Sequence, residues 1–288
     1  MTLLNFSPRF IEKISVLWPN RYPIPPDEIT FVTMKKLFLI PILSLAYHCF
    51  GQTASFKEIK QNPRTQYLNT KDSTIVFPVV VTKNSKIDNL INSQIKDEMF
   101  QPEASAQSLR SVIKERIDEG LIYLDYEVTF NQRRLLSFSI RAEGCGAHCS
   151  SWTTYFNFDL ATGKRITIND LLQGSKIDSF KSIVLVDKRN ILSKYKADML
   201  ADFKNKDVDS STHDWAISQV DGNCMNSISI EEFSLTTERL EIINNCEFPY
   251  AIQSQQPLIE LKYSYQNITK FLSPRFGKIL RLILRGYN

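Results

Sequence analysis

Residues 143–172 read EGCGAHCSSWTTYFNFDLATGKRITINDLL, and the fold is decided in this run. Cys145 and Cys149 pin a short loop, and apolar and polar residues then alternate from Trp152 to Leu160, the period of a strand with one buried face. The tetrapeptide Ala161-Thr162-Gly163-Lys164 is built for a tight turn, with glycine supplying a left-handed backbone. A short strand over 165–168 follows, and Asn169-Asp170 stands before a helix, where carboxylates usually serve as caps.

Upstream, residues 121–130 and 135–142 carry the same period of two and form a hairpin about Asn131-Gln132-Arg133-Arg134. Before them lie two helical patterns. Ile87, Leu90, Ile91, Ile95 and Met99 make one apolar stripe behind the capping-box-like Ser85-Lys-Ile-Asp88. Leu109, Val112, Ile113 and Ile117 make another over 105–119, ending at Gly120, a residue suited to a left-handed C-terminal cap. A β-branched strand over 73–81 precedes both, with Pro78 marking an edge or a bend. Downstream, Ser175-Lys-Ile-Asp178 opens a helix lined by Ile177, Phe180, Val184, Ile191 and Tyr195. Residues 201–223 are polar and aperiodic and read as a surface excursion. A hairpin joins 227–235 to 239–243, followed by a strand over 258–263 and a short helix over 268–272. Consecutive strands with short links predict an α+β fold on an antiparallel sheet.

The chain has 288 residues, 43% of them apolar, with 35 basic against 31 acidic side chains. That is enough to bury a core and too weak a field to argue for nucleic acid. Met34-Lys35-Lys36 followed by the uncharged apolar run over 37–50 has the build of a secretory signal peptide ending near Gly51. Its length is short for a bilayer span, and His48 before Cys49 argues against lipidation. The organisation expected is an upstream artefact or disordered leader over 1–33, a signal peptide over 34–51 and a flexible N-terminus over 52–71. A single α+β envelope domain in two intimate halves, 72–150 and 151–277, and a tail over 278–288 complete it. The only membrane contact expected is through the transient signal peptide. Export to the periplasm or beyond leaves Cys145, Cys149, Cys224 and Cys246, an even number in an oxidising compartment. Of three connectivities, Cys145 with Cys149 and Cys224 with Cys246 is the one expected.

Catalytic signatures are weak. Cys145, His148 and Cys149 with His213, Cys224 and Cys246 are zinc-type ligands, but paired thiols and the absence of a two-pair spacing argue against a metal. No Gly-x-Ser-x-Gly elbow is present, and His213-Asp214 are adjacent residues in a polar segment. A glycan hydrolase needs two carboxylates across a cleft, and Glu143, Asp159, Asp170, Glu231 and Glu232 can be nominated without choosing among them. No cofactor is expected. Trp152, Tyr155, Phe156 and Phe158 alternate, so one set fills the core and the other offers a stacking surface.

The run Tyr155-Phe-Asn-Phe-Asp159-Leu-x-Thr-Gly163-Lys-Arg-Ile-Thr-Ile-x-Asp170-Leu-Leu, preceded by Gly146-Ala147-His148, resembles the hallmark of a bacterial envelope domain family. That family includes the lysozyme-binding sensor domain of RsiV-type anti-sigma factors and the domain appended to some secreted peptidoglycan deacetylases. Residues 75–95 and 233–272 are similar to it as well, so the resemblance covers about 72–277. It implies helices packed on one face of a curved antiparallel sheet, and binding without catalysis. The ligand it implies is peptidoglycan or a peptidoglycan-acting protein such as lysozyme. The contact surface it implies is the turn Phe248-Pro249-Tyr250, and the loop over 144–152, with His148 and Trp152, is the second candidate surface. The alternatives are a glycan-acting hydrolase with an unidentified carboxylate pair and a structural envelope protein.

Overall fold

A computed structural model describes residues 52–64, 74–101, 107–203 and 210–285. The leader and signal peptide expected over 1–51 lie outside them. The order is β1 (Ser55–Gln61), β2 (Ile75–Val81), α1 (Ser85–Phe100), α2 (Leu109–Asp118), β3 (Leu121–Gln132), β4 (Leu135–Cys145), β5 (Cys149–Asp159) and β6 (Lys164–Arg165). Then come α3 (Ile168–Leu171), α4 (Ile177–Phe203), α5 (Ser210–Gln219), β7 (Phe233–Leu235), β8 (Arg239–Ile242), β9 (Leu261–Ser264), α6 (Tyr265–Ile268) and α7 (Pro274–Arg285). Two sheets result, one of six strands in the order β1-β2-β3-β4-β5-β6 and one of three, β7-β8-β9. The fold is α+β, and the larger sheet is open and antiparallel at every junction except β2 with β3, which run parallel.

Strands β3, β4 and β5 form a wall with a core on each side. Rows of paired residues such as Leu124–Ala142, Phe138–Phe156 and Leu136–Phe158 turn to one face. There they meet Ile91, Ile95, Val112 and Ile113 of α1 and α2 in the first core. Phe138 lies at its centre, stacked on Phe156 at 5.2 Å between ring centroids. Across the wall, Phe130 and Leu135 belong to a second core built by α3, α4, α5, the small sheet, α6 and α7.

Polar side chains dock the small sheet on the wall. Asn157 donates through Nδ2 to the Phe233 carbonyl at 2.7 Å, and the Ser137 hydroxyl accepts from the Leu235 N–H at 3.0 Å. These side chains give β7 backbone partners that no strand supplies. Asn157 is buried, so Asn157→Ala should leave the Phe233 carbonyl unpaired and cost about 2 kcal/mol; urea unfolding checks this, and an unchanged midpoint would sink the docking account. Next along the strand, buried Asp159 receives Arg134, Arg275 and the Ala161 N–H. One carboxylate thus ties the β3–β4 turn and α7 to the end of β5.

Several sequence expectations are corrected. Residues 55–61 are not flexible but form the edge strand β1, whose pairing from Ser55↔Val81 to Gln61↔Ile75 covers Pro78. Asn92 of α1 accepts from the Val80 N–H and donates to its carbonyl, both at 2.8 Å, which satisfies β2 on a side that has lost its ladder. The cap of α1 is Asn84, while Asp88 reaches back to the Thr82 N–H. A boundary at 150 would cut β5, which pairs with β4 along its whole length. The polar segment over 201–223 contains helix α5, continued by a π-helical turn, Val220–Cys224, and along the two Ala216, Val220 and Cys224 recur every fourth residue and are buried. The tail expected at 278–288 is helical to Arg285, with Leu280 in the second core. At the turn Gly163-Lys164 the expected geometry holds, with Gly163 at φ +70.

Candidate functional site

The β4–β5 hairpin ends in Gly146-Ala147-His148, closed by a disulfide between the paired residues Cys145 and Cys149. The Gly146 N–H donates to the His148 carbonyl at 3.1 Å. A three-residue tip bridged at its base has little freedom left, and it presents an exposed His148 in one place. The second disulfide, Cys224–Cys246, anchors the chain two residues before Phe248. Pro249 then starts a 3-10 turn, Tyr250–Gln255.

The two loops meet. The His148 and Tyr250 rings stack with centroids 5.0 Å apart and planes inclined by 27°. Tyr250 is 62% exposed and Trp152 43% exposed, a large aromatic surface to leave in water. Of the expected contact residues, His148, Trp152 and Tyr250 are therefore available and Pro249 is half-buried. Phe248 is not: it lies in the second core at 8% exposure and acts as the anchor of the turn. Nothing in the sequence pairs His148 with Tyr250, since about a hundred residues separate them.

Trp152 pairs with Ala142 on β4 and its indole reaches Gly144, where an added Cβ would make ordinary van der Waals contact at 3.5 Å. Beneath it opens a cavity of about 380 Å³ lined by Phe100, Arg116, Leu121, Leu124, His148 and Trp152 among others. Arg116 is held by Glu119 at 2.6 Å and by the Phe100 carbonyl at 2.8 Å. The floor is apolar and the rim carries one guanidinium and the aromatic residues. On the other side of Trp152 a cavity of about 700 Å³ is lined by Glu231, Glu232, Asn245, Glu247, Gln253 and Gln256 among others.

Four of the five carboxylates nominated for hydrolysis fall into two groups. Asp159 is committed to Arg134 and Arg275. Asp170 closes a capping box with Thr167; burial works to raise its pKa, but the Thr167 N–H and hydroxyl, with Lys164 and Arg275, hold it below the ordinary carboxylate value. Both are structural. Glu231 and Glu232 face the larger cavity, and burial, with Glu98 and Glu247, pushes Glu232 above its ordinary value against the opposing Arg165. Glu143 brings its carboxylate within 4.8 Å of the Cys145 and Cys149 sulfurs, the one grouping of three potential metal ligands among the described residues. Those sulfurs are bonded to each other and offer no thiolate. His213 and Asp214 sit on α5, away from this grouping in the chain.

Two disulfides fit an oxidising compartment, and among the described residues no helix is long and apolar enough to cross a membrane. No family model matches the sequence, and no curated protein matches it. Among solved structures, the chain is similar to a member of the DUF3298 family from Bacteroides fragilis. The identity is 17% and the TM-score 0.50, over 80% of this chain and 98% of that one. It is also similar to a DUF3298 family protein from Pseudomonas aeruginosa, at 14% identity and a TM-score of 0.45, over 77% and 95% of the two chains. What the first of these likenesses establishes is the fold.

Proposed function

We propose that this protein is an exported recognition module of the cell envelope that binds peptidoglycan at the His148–Tyr250–Trp152 surface without catalysing a reaction. The observation that carries the reading is the His148–Tyr250 stack, which joins two disulfide-braced loops into one aromatic platform beside the exposed Trp152. Flat, rigid aromatic surface left in water suits the apolar faces of sugar rings, and its ordering is complete before a ligand arrives. The resemblance of the Asn157-Phe158-Asp159 run to envelope domains of anti-sigma factors and peptidoglycan deacetylases supports the same class of ligand. A lysozyme-like protein is the second ligand this surface suits.

Calorimetric titration of the full chain, disulfides formed, with soluble peptidoglycan fragments and separately with lysozyme tests the reading. Micromolar binding to the fragments is expected. Trp152→Ala and Tyr250→Ala should each weaken it tenfold or more, the loss of about 1.4 kcal/mol or above that a central aromatic contact carries. Binding to lysozyme alone would transfer the surface to a protein partner. Release of new reducing ends from the fragments would replace recognition by hydrolysis. Binding to neither would overturn the proposal.

A further inference from the structure

The wall β3–β5 has a second face, and beyond the docked small sheet it stays open. Its lateral rows there are Asp125–Arg141–Thr153 and Glu127–Ser139–Tyr155. Three cavities of about 110, 240 and 700 Å³ lie along it and on past β8, the first two sharing Arg141 and the last two sharing Thr153, Glu232 and Asn245. Taken together they line a cleft that runs past Trp152. Its floor is hydroxyl-bearing and aromatic, with Tyr155 half-buried at its centre, and its far wall carries the amides of Asn245, Gln253 and Gln256. Burial pushes the Tyr155 hydroxyl above its ordinary pKa, with Glu232, Glu241 and Glu127 adding to the rise against Arg141.

Hydroxyls, amides and a ring on a continuous polar channel are the chemistry of a saccharide site, since each sugar offers hydroxyls to the former and a C–H face to the latter. The cleft also carries charge. Asp125, Glu127, Glu231, Glu232 and Glu247 line it with Arg141 as the one basic lining residue, while Lys60 acts on Asp125 and Arg165 on Glu232 from outside the lining. None of the five makes an ion pair among the described residues, whereas Glu58, Glu98, Glu241 and Glu260 each hold a basic side chain at 2.7–2.8 Å. This excess sits on a chain whose formal net charge is +4. An anionic strand would be repelled here and a cationic one drawn in.

We infer that the cleft takes a linear oligosaccharide bearing protonated amines, that is, 2-amino-2-deoxy sugars left unacetylated. The inference rests on the glycan reading above and adds to it a channel and a charge. Titrating the full chain with a glucosamine hexamer and with its N-acetylated counterpart tests it. The free-amine hexamer should bind about tenfold more tightly, an advantage that falls as salt is raised. Glu232→Gln and, on another strand, Glu127→Gln should each weaken it about fivefold and leave the acetylated hexamer unchanged. Both positions are exposed, so thermal melts should match the parent. Equal or tighter binding of the acetylated hexamer would overturn the inference and leave the peptidoglycan reading standing. Binding of peptidoglycan fragments with no binding of either hexamer would do the same. Oligolysine binding as tightly, with the same sensitivity to Glu232→Gln, would overturn it in favour of a surface that reads charge alone. If no glycan binds at all, both readings fall together.

Discussion

Gly120→Ala is expected to lower the unfolding free energy by about 3–5 kcal/mol and to abolish ligand binding at the aromatic surface. Gly120 follows α2, donates its N–H to the Ile117 carbonyl and stands at φ +114, a conformation that costs an L side chain strain of about 1–3 kcal/mol. The strain is the smaller part of the argument. A Cβ added there would lie 2.1 Å from the carbonyl oxygen of Cys145. That atom is backbone, and Cys145 is held by its disulfide and by the hydrogen bond from its own N–H to the Gly120 carbonyl at 2.8 Å. Neither side can yield by a side-chain rotation, so the hairpin tip or the helix end must move. Either movement deforms the 380 Å³ cavity, whose lining includes Gly120, Cys145, His148 and Trp152. Thermal unfolding and a titration with peptidoglycan fragments measure the two consequences. A variant that melts with the parent would show that the helix end and the tip are not in contact.

Much of this arrangement was legible in the sequence, and the parts that were not share a physical reason. The stop at Gly120, the turn at Gly163, the wall of β3 to β5 and both disulfides depend on residues close in the chain, where turn chemistry and period act directly. Asn157 shows the limit. Alternation places it on the face opposite Phe156 and Phe158, and a polar residue there reads as solvated; it is buried because β7, some 76 residues later, lies on it. Asp159 reads as a turn residue, which it is through the Ala161 N–H, but its two arginines come from distant elements. Helix α5 was hidden by a Ser-Thr-His-Asp composition, and the fourfold spacing of Ala216, Val220 and Cys224 was the signal that could have found it. Phe248 and Tyr250 had the same standing as contact residues until the second core claimed one and His148 met the other. The cleft follows the same rule: its rows are register, legible only once β3, β4 and β5 are aligned.

Removing the Cys224–Cys246 bridge by the double change Cys224→Ser and Cys246→Ser is expected to cost about 3 kcal/mol, against about 2 for the equivalent change at Cys145 and Cys149. The difference follows from loop length, 22 residues against 4, because the longer closed loop removes more freedom from the unfolded chain. Structure adds to entropy here. Cys224 and Cys246 are both buried in the second core, at 3% exposure, so the serines would also bring hydroxyls into apolar surroundings. The closed loop contains β7 and β8, the strands that dock on Asn157 and Ser137. A midpoint lower by roughly 6–12 °C is the measurable result for a domain of this size. Binding should rank the two bridges the other way. Cys145 and Cys149 close the tip that carries His148 itself, whereas Cys246 reaches Tyr250 only through Phe248, which stays anchored in the core. The long bridge then governs stability and the short one governs the shape of the platform. Should the tip variant lose more stability than it loses affinity, the hairpin tip would be a structural staple and the aromatic surface would owe its order to the wall alone.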